Sequence, residues 1–197
     1  ALQLACKNGV YENAEMLLSS GASLNIVDKD KMNALHYASE SWKDNRDVMK
    51  LLIEKGYDVN VQDGNGKTAL QLACKQGVYE NAKKLLDFGA SINIVDKDKM
   101  NALHYASQYW IDNRDVIKLL IEKGIDVNVQ DGNGKTALQL ACKNGDYEIA
   151  KKLLSSGASI NIVDKDKMNA LHYASESWKD NRDVMKLLIE KGIDLNA

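Results

Sequence analysis

The chain has 197 residues, 45% of them hydrophobic and 27% charged, with a formal net charge of −2. These are the proportions of an ordinary folded protein, and no stretch is polar enough to read as disordered. Lysines interleaved with acids leave no basic stripe, which argues against nucleic acid, and no apolar run approaches the ~18 residues of a membrane span.

From its first residues the sequence copies itself. Leu2, Leu70 and Leu138 hold equivalent places in three near-identical copies that recur every 68 residues, as do Cys6, Cys74 and Cys142, and Trp42, Trp110 and Trp178. A weaker recurrence inside each copy puts leading leucines at 2, 35, 70, 103, 138 and 171, with spacings alternating between 33 and 35. A fixed period in this range marks a solenoid, in which each repeat buries its apolar face by stacking on its neighbours. The chain reads as one array over 1–197, divided at about 1–27, 28–62, 63–95, 96–130, 131–163 and 164–197. It opens inside a first helix and closes before another turn, as a segment of a longer array would, and the expected state is a monomer or part of such an array. Nothing resembles a signal peptide, although a targeting segment upstream of Ala1 would lie outside the sequence.

One kind of repeat is complete at Asp63 to Val95. Asp63-Gly64-Asn65-Gly66 is turn chemistry, with glycines able to take positive φ. Thr68 is placed as an N-cap, with Gln71 completing a capping box. Ala69, Leu70, Leu72 and Ala73 form a short first helix, ended by Gln76-Gly77. A second helix starts near Tyr79, with Tyr79, Ala82, Leu85 and Leu86 on its apolar face and Gly89 as its left-handed stop. Ala90 to Val95 is expected to be extended.

The other kind, Asp96 to Gln130, departs in two places. Lys99 stands where the first kind has Gly66, and a lysine at positive φ costs ~1 kcal/mol relative to glycine, so a different turn is expected. Two residues are added between the helices, in Tyr109-Trp110-Ile111-Asp112-Asn113 and its copies from Ser41 and Ser177. Their Asp and Asn residues suit the end of one helix and the cap of the next.

Thr68-Ala69-Leu70-Gln71-Leu72-Ala73 and Asn101-Ala102-Leu103-His104-Tyr105-Ala106 resemble the ankyrin repeat signature Thr-Pro-Leu-His-x-Ala. Leu85 to Asn93, Leu-Leu-x-x-Gly-Ala-x-x-Asn in pattern, also matches that family, and the resemblance covers the chain six times over. It implies an all-α, ankyrin-like solenoid of stacked antiparallel helix pairs with β-hairpin-like finger loops. It further implies a concave face, lined by fingers and first helices, where members usually bind other proteins.

Chemistry finds little to work with. His36, His104 and His172 lie two repeats apart, roughly 20 Å at ordinary helix spacing, too far to share a metal or to act as acid and base. Each is expected to hydrogen-bond backbone at the start of its helix. The three cysteines are similarly separated and cannot form a disulfide within the chain. They read as small buried residues, and unpaired thiols indicate a reducing, intracellular and cytoplasmic setting. Gly64-Asn65-Gly66-Lys67-Thr68 lacks the full glycine spacing of a phosphate loop and reads as a finger turn. No enzyme, cofactor or metal is expected.

The partner site is sought by comparing the copies. At seven positions the central copy differs while the outer two agree: Gln76, Asp87, Phe88, Gln108, Tyr109, Ile111 and Ile117. Ser becomes Phe88, Ser becomes Tyr109 and Lys becomes Ile111, so apolar surface is gained. Gln76, Phe88, Gln108, Tyr109, Trp110 and Ile111 are therefore the candidate partner contacts, although the tryptophans read first as packing on the segment around Val78 or Tyr79 at the junction with the next repeat. The expected function is a protein-binding scaffold for another protein. Alternatives are a structural spacer, a designed scaffold with no dedicated partner, and a hydroxylation substrate through Asn25, Asn60, Asn93, Asn128, Asn161 and Asn196.

Overall fold

A computed structural model describes residues 1–108, 113–176 and 180–195. The described residues are all-α, with twelve short helices and one isolated antiparallel bridge, Gln62 with Thr68. None of these helices is long and apolar enough to cross a membrane. The chain divides into two compact units, 1–97 and 98–197.

The first unit holds α1 (Leu2–Asn8), α2 (Tyr11–Ser19), α3 (Ala34–Glu40), α4 (Arg46–Glu54), α5 (Ala69–Gln76) and α6 (Tyr79–Asp87). Each first helix packs on its own second helix, α1 on α2, α3 on α4, α5 on α6. First helices then stack on one another, α1 on α3 on α5, and second helices likewise, α2 on α4 on α6. The second unit repeats the scheme with α7 (Ala102–Gln108), α8 (Arg114–Glu122), α9 (Ala137–Asn144), α10 (Tyr147–Ser155), α11 (Ala170–Glu176) and α12 (Arg182–Glu190). Helices of 7 to 9 residues are below the ~12–15 at which an isolated helix holds in water, so stacking is what stabilises them.

The burial pattern follows the alanine and leucine positions. Leu70, Ala73, Ala82 and Leu85 are buried, whereas Tyr79 and Leu86, expected on the same apolar face, are half-exposed. Thr68 and Gln71 form the expected capping box, and Gly77 ends α5 in the left-handed region at φ 70°. Gly89 takes φ 85° just beyond α6. The stretch after Ala90 is not extended throughout, because Ile92-Asn93 turns.

The longer inter-helix loop corrects the capping assignment. Asn45, Asn113 and Asn181 occupy the N-cap positions of α4, α8 and α12 but make no side-chain cap. The Asn45 amide instead points back, Nδ2 donating to Ala38 O at 3.0 Å and to Cys6 O at 3.2 Å. Asn181 does the same with Ala174 O and Cys142 O. Asp44 and Asp180 supply the carboxylates that accept from the N–H groups of Arg46 and Arg182. Asn81 of α6 then pins the loop, donating to Lys43 O and accepting from Asn45 N–H, both at 2.8 Å.

Candidate functional site

The finger turns are built around one aspartate each. Asp28 Oδ1 accepts the N–H groups of Asp30 and Met32, at 2.9 and 2.8 Å, and Asp63 Oδ1 accepts those of Asn65 and Lys67, at 2.8 and 2.9 Å. This double acceptance is the same in both kinds of repeat, and the turn is the same too. Lys31, Lys99 and Lys167 take φ of 57°, 58° and 62°, against 83° for Gly66. The expected difference in turn type does not occur. Two backbone bonds to one carboxylate oxygen outweigh the ~1 kcal/mol that a lysine costs there.

Successive fingers are joined through their backbones. In the first unit Gly64 N–H donates to Asp30 O at 2.6 Å, and Lys97 N–H donates to Asn65 O at 3.0 Å. The second unit has the matching bonds, Gly132 N–H to Asp98 O and Lys165 N–H to Asn133 O. Gly64 is glycine because of this approach and not because of its φ. A Cβ there would lie 2.7 Å from Asp30 O.

Behind each finger, the third residue of the first helix ties the repeat to the next one. His36 Nδ1 accepts from Asn33 N–H while His36 N–H donates to Asn33 Oδ1, so the remaining ring proton sits on Nε2. Nε2 faces Val61 O at 3.0 Å in its own repeat and Lys67 O at 3.2 Å in the following one. Gln71 reproduces the cap and the bond within its own repeat, accepting from Thr68 N–H through Oε1 and donating through Nε2 to Ile94 O, and its copy Gln139 also donates to Met168 O in the next repeat. Histidine and glutamine are thus interchangeable here, and the expected backbone role of the histidines holds at His36, His104 and His172. Burial lowers the His36 pKa, consistent with a neutral ring.

Tyrosines and lysines cover the first helices. Tyr37 OH donates to Asp28 Oδ2 at 2.6 Å, which lowers the carboxyl pKa and raises that of the phenol. Tyr173 OH donates to Asp164 in the same way. Lys7 Nζ stands 5.6 Å from the Tyr37 ring centre, and Lys135 and Lys143 stand 5.0 and 6.0 Å from that of Tyr173.

The described candidate contacts do not form one cluster. Gln76, at the end of α5, is half-buried, and Phe88, half-buried, follows the last residue of α6. The full length of α6, nine residues or ~13 Å, separates the two. Phe88 has Lys84 Nζ at 5.1 Å from its ring. Gln108 is exposed at the end of α7, and Ile117 is core. Tyr109, Trp110 and Ile111 lie outside the described residues. Packing of the tryptophans on the next repeat is overturned at Trp42, which is 77% exposed on its pinned loop. Asn60 and Asn128 each accept the N–H of a serine in the next repeat, Ser91 and Ser159 at 2.7 Å, so these side chains have a structural task.

All three cysteines are buried and unbridged, and burial pushes Cys6 and Cys142 up to about 12. Among the described residues no group of three or more His, Cys, Asp or Glu side chains could hold a metal.

A family model described as ankyrin repeats matches three stretches, 1–63, 41–131 and 126–197, which together run the length of the chain. A fowlpox virus protein named for its ankyrin repeats is 34% identical over 187 residues, 92% of this chain and 27% of the viral protein. A Treponema pallidum protein named as ankyrin repeat-containing is 35% identical over 131 residues, 66% of this chain and 43% of the bacterial one. The human transient receptor potential cation channel subfamily A member 1 is 31% identical over 173 residues, 83% of this chain and 15% of the channel. This chain therefore spans less than half the length of each of these relatives.

Proposed function

This chain belongs to the ankyrin repeat family, and from that we propose that it is a non-catalytic scaffold binding another protein across its finger turns and first helices. Repeats of this family are generally protein-interaction modules. The observation that carries the reading is the backbone bonding between fingers, Gly64 N–H to Asp30 O and Lys97 N–H to Asn65 O. Tips held by the backbone are preorganised, so association orders little that is not already ordered. Gln76, Phe88, Gln108, Tyr109, Trp110 and Ile111 remain proposed contacts. Exposed Gln108 is the best placed of the described ones.

Site-specific photo-crosslinking in cells that express the chain tests this. A photoreactive residue at Lys29 or Asn65 should capture a defined protein, which then binds the purified chain saturably. One at Glu15 or Lys83, on the second helices, should not. Capture only from the second helices would overturn the proposal.

A further inference from the structure

Folding separates charges that the sequence interleaves. In the first unit, Lys7, Lys29, Lys31, Lys67, Lys75 and Lys97 all belong to fingers or first helices, and each keeps solvent exposure. The acids of the same segments are largely committed. Asp28 and Asp63 turn their carboxylates onto backbone N–H groups, Asp28 takes the Tyr37 hydroxyl as well, and Asp96 is buried. Asp30, Glu40 and Asp58 are what remain, Asp58 being exposed with one carboxylate oxygen on Asn60 N–H. On α2, α4 and α6 the balance reverses, with Glu12, Glu15, Asp47, Glu54, Glu80 and Asp87 outnumbering the basic residues. The second unit carries the same lysine pattern at Lys99, Lys135, Lys143, Lys165 and Lys167.

From this we propose that the finger face of each unit binds an extended acidic polypeptide segment. The proposal rests on the protein-binding reading above and names the chemistry of the partner. Stacked repeats recur about every 8–10 Å, and an extended chain advances ~3.3 Å per residue. A carboxylate at about every third residue therefore meets one finger after another. A protein segment fits better than nucleic acid. An exposed Asp30 sits between Lys29 and Lys31 at the tip, where a continuous phosphate backbone would meet it. The three arginines, Arg46, Arg114 and Arg182, all open second helices.

The test uses a fluorescent 18-residue peptide with glutamate at every third position, separated by serine and glycine. Anisotropy should show saturable binding that weakens at least tenfold between 50 and 200 mM salt. The variant Lys29→Gln/Lys31→Gln/Lys97→Gln should lose at least tenfold in affinity, while Lys50→Gln/Lys55→Gln/Lys83→Gln stays within twofold. The control should keep the parent's unfolding midpoint, and the finger variant should stay folded with a midpoint close to it, giving up only the 2.7 Å bond from Lys97 Nζ to Gly64 O. A peptide of the same composition with its glutamates in one block should bind more weakly. No binding, equal loss from both variants, or tighter binding of a 20-nucleotide single strand would overturn the proposal. The two readings fail separately. A partner crosslinked at Lys29 whose bound segment is not acidic, and whose affinity survives the finger variant, removes this inference and leaves the scaffold standing. Absence of any finger-face partner removes both.

Discussion

Asn45→Ala is the perturbation that most directly tests how the longer loop is held. Asn45 is 2% exposed, and its Nδ2 is shared between Ala38 O and Cys6 O. Ala38 O lies in the last turn of α3, beyond reach of that helix's own N–H groups, so alanine orphans it. Cys6 O keeps its bond from Gly9 N–H at 3.2 Å and loses only its second donor. A buried acceptor left unpaired costs ~1–3 kcal/mol, and a neutral hydrogen bond is worth ~1. The expected loss is about 2–4 kcal/mol, a large share of the ~5–15 of a typical domain. Equilibrium urea unfolding followed by circular dichroism measures it. Asn45→Asp keeps the shape but removes the donor, and should lose at least as much. If both variants stay within ~0.5 kcal/mol of the parent, the amide is not the donor and the reasoning fails.

Other outcomes follow from the same contacts. His36 has a lowered folded pKa, so its contribution to stability is complete above the unfolded value of ~6.5 and is lost as pH falls from there through the folded value. His36→Gln, which installs the Gln71 chemistry, should therefore lose less stability between pH 7.5 and 5 than the parent, as read from urea midpoints at each pH; identical slopes would count against it. Gly64→Ala should cost about 1–3 kcal/mol through the 2.7 Å approach to Asp30 O and speed amide exchange at residue 64. Unchanged exchange there would mean the fingers are not joined. Trp42→Ala should change stability by less than ~0.5 kcal/mol, since the ring is 77% exposed; a loss above ~2 kcal/mol would restore the packing reading. The thiols of Cys6, Cys74 and Cys142 should react with an aromatic disulfide reagent only as fast as the chain unfolds.

What was legible in the sequence was local. The Thr68–Gln71 box, the Gly77 stop and the backbone role of the histidines are relations between residues one turn apart, and each appears where expected. The misreadings involve partners in another repeat or in another segment of the same repeat. Asn45 reads as an N-cap until the carbonyl of Cys6, 39 residues away, is brought beside it. Gly64 reads as a positive-φ glycine until Asp30 O approaches from the preceding finger. Lys99 reads as a misfit because the αL cost is visible in the sequence and the carboxylate holding the equivalent turns is not. For the candidate contacts, copy comparison picks out where residues differ without saying which end of a helix they occupy. Gln76 and Phe88 consequently fall a helix length apart.

The two departures of the second kind of repeat belong to one scheme of interlocking. A finger with Gly64 and Gly66 is wedged between two fingers of the other kind. Gly64 makes room for Asp30 O on one side, and on the other a Cβ at Gly66 would lie 3.0 Å from Lys97 N. The lysine-bearing finger supplies the groups that enter those gaps, so glycine is needed on one kind only. At the opposite end of the repeat the roles exchange. The two added residues let Asn45 reach Cys6 O in the preceding repeat while its own N–H meets Asn81 in the following one. Each kind of repeat therefore has a surface shaped for the other kind, and neither is shaped for its own. That is a physical reason for the chain to recur by 68 residues and not by 33 or 35. A single repeat added or lost would set two fingers of the same kind against each other, either glycine against glycine with nothing to fill the space between them, or two lysine-bearing fingers with no gap to enter.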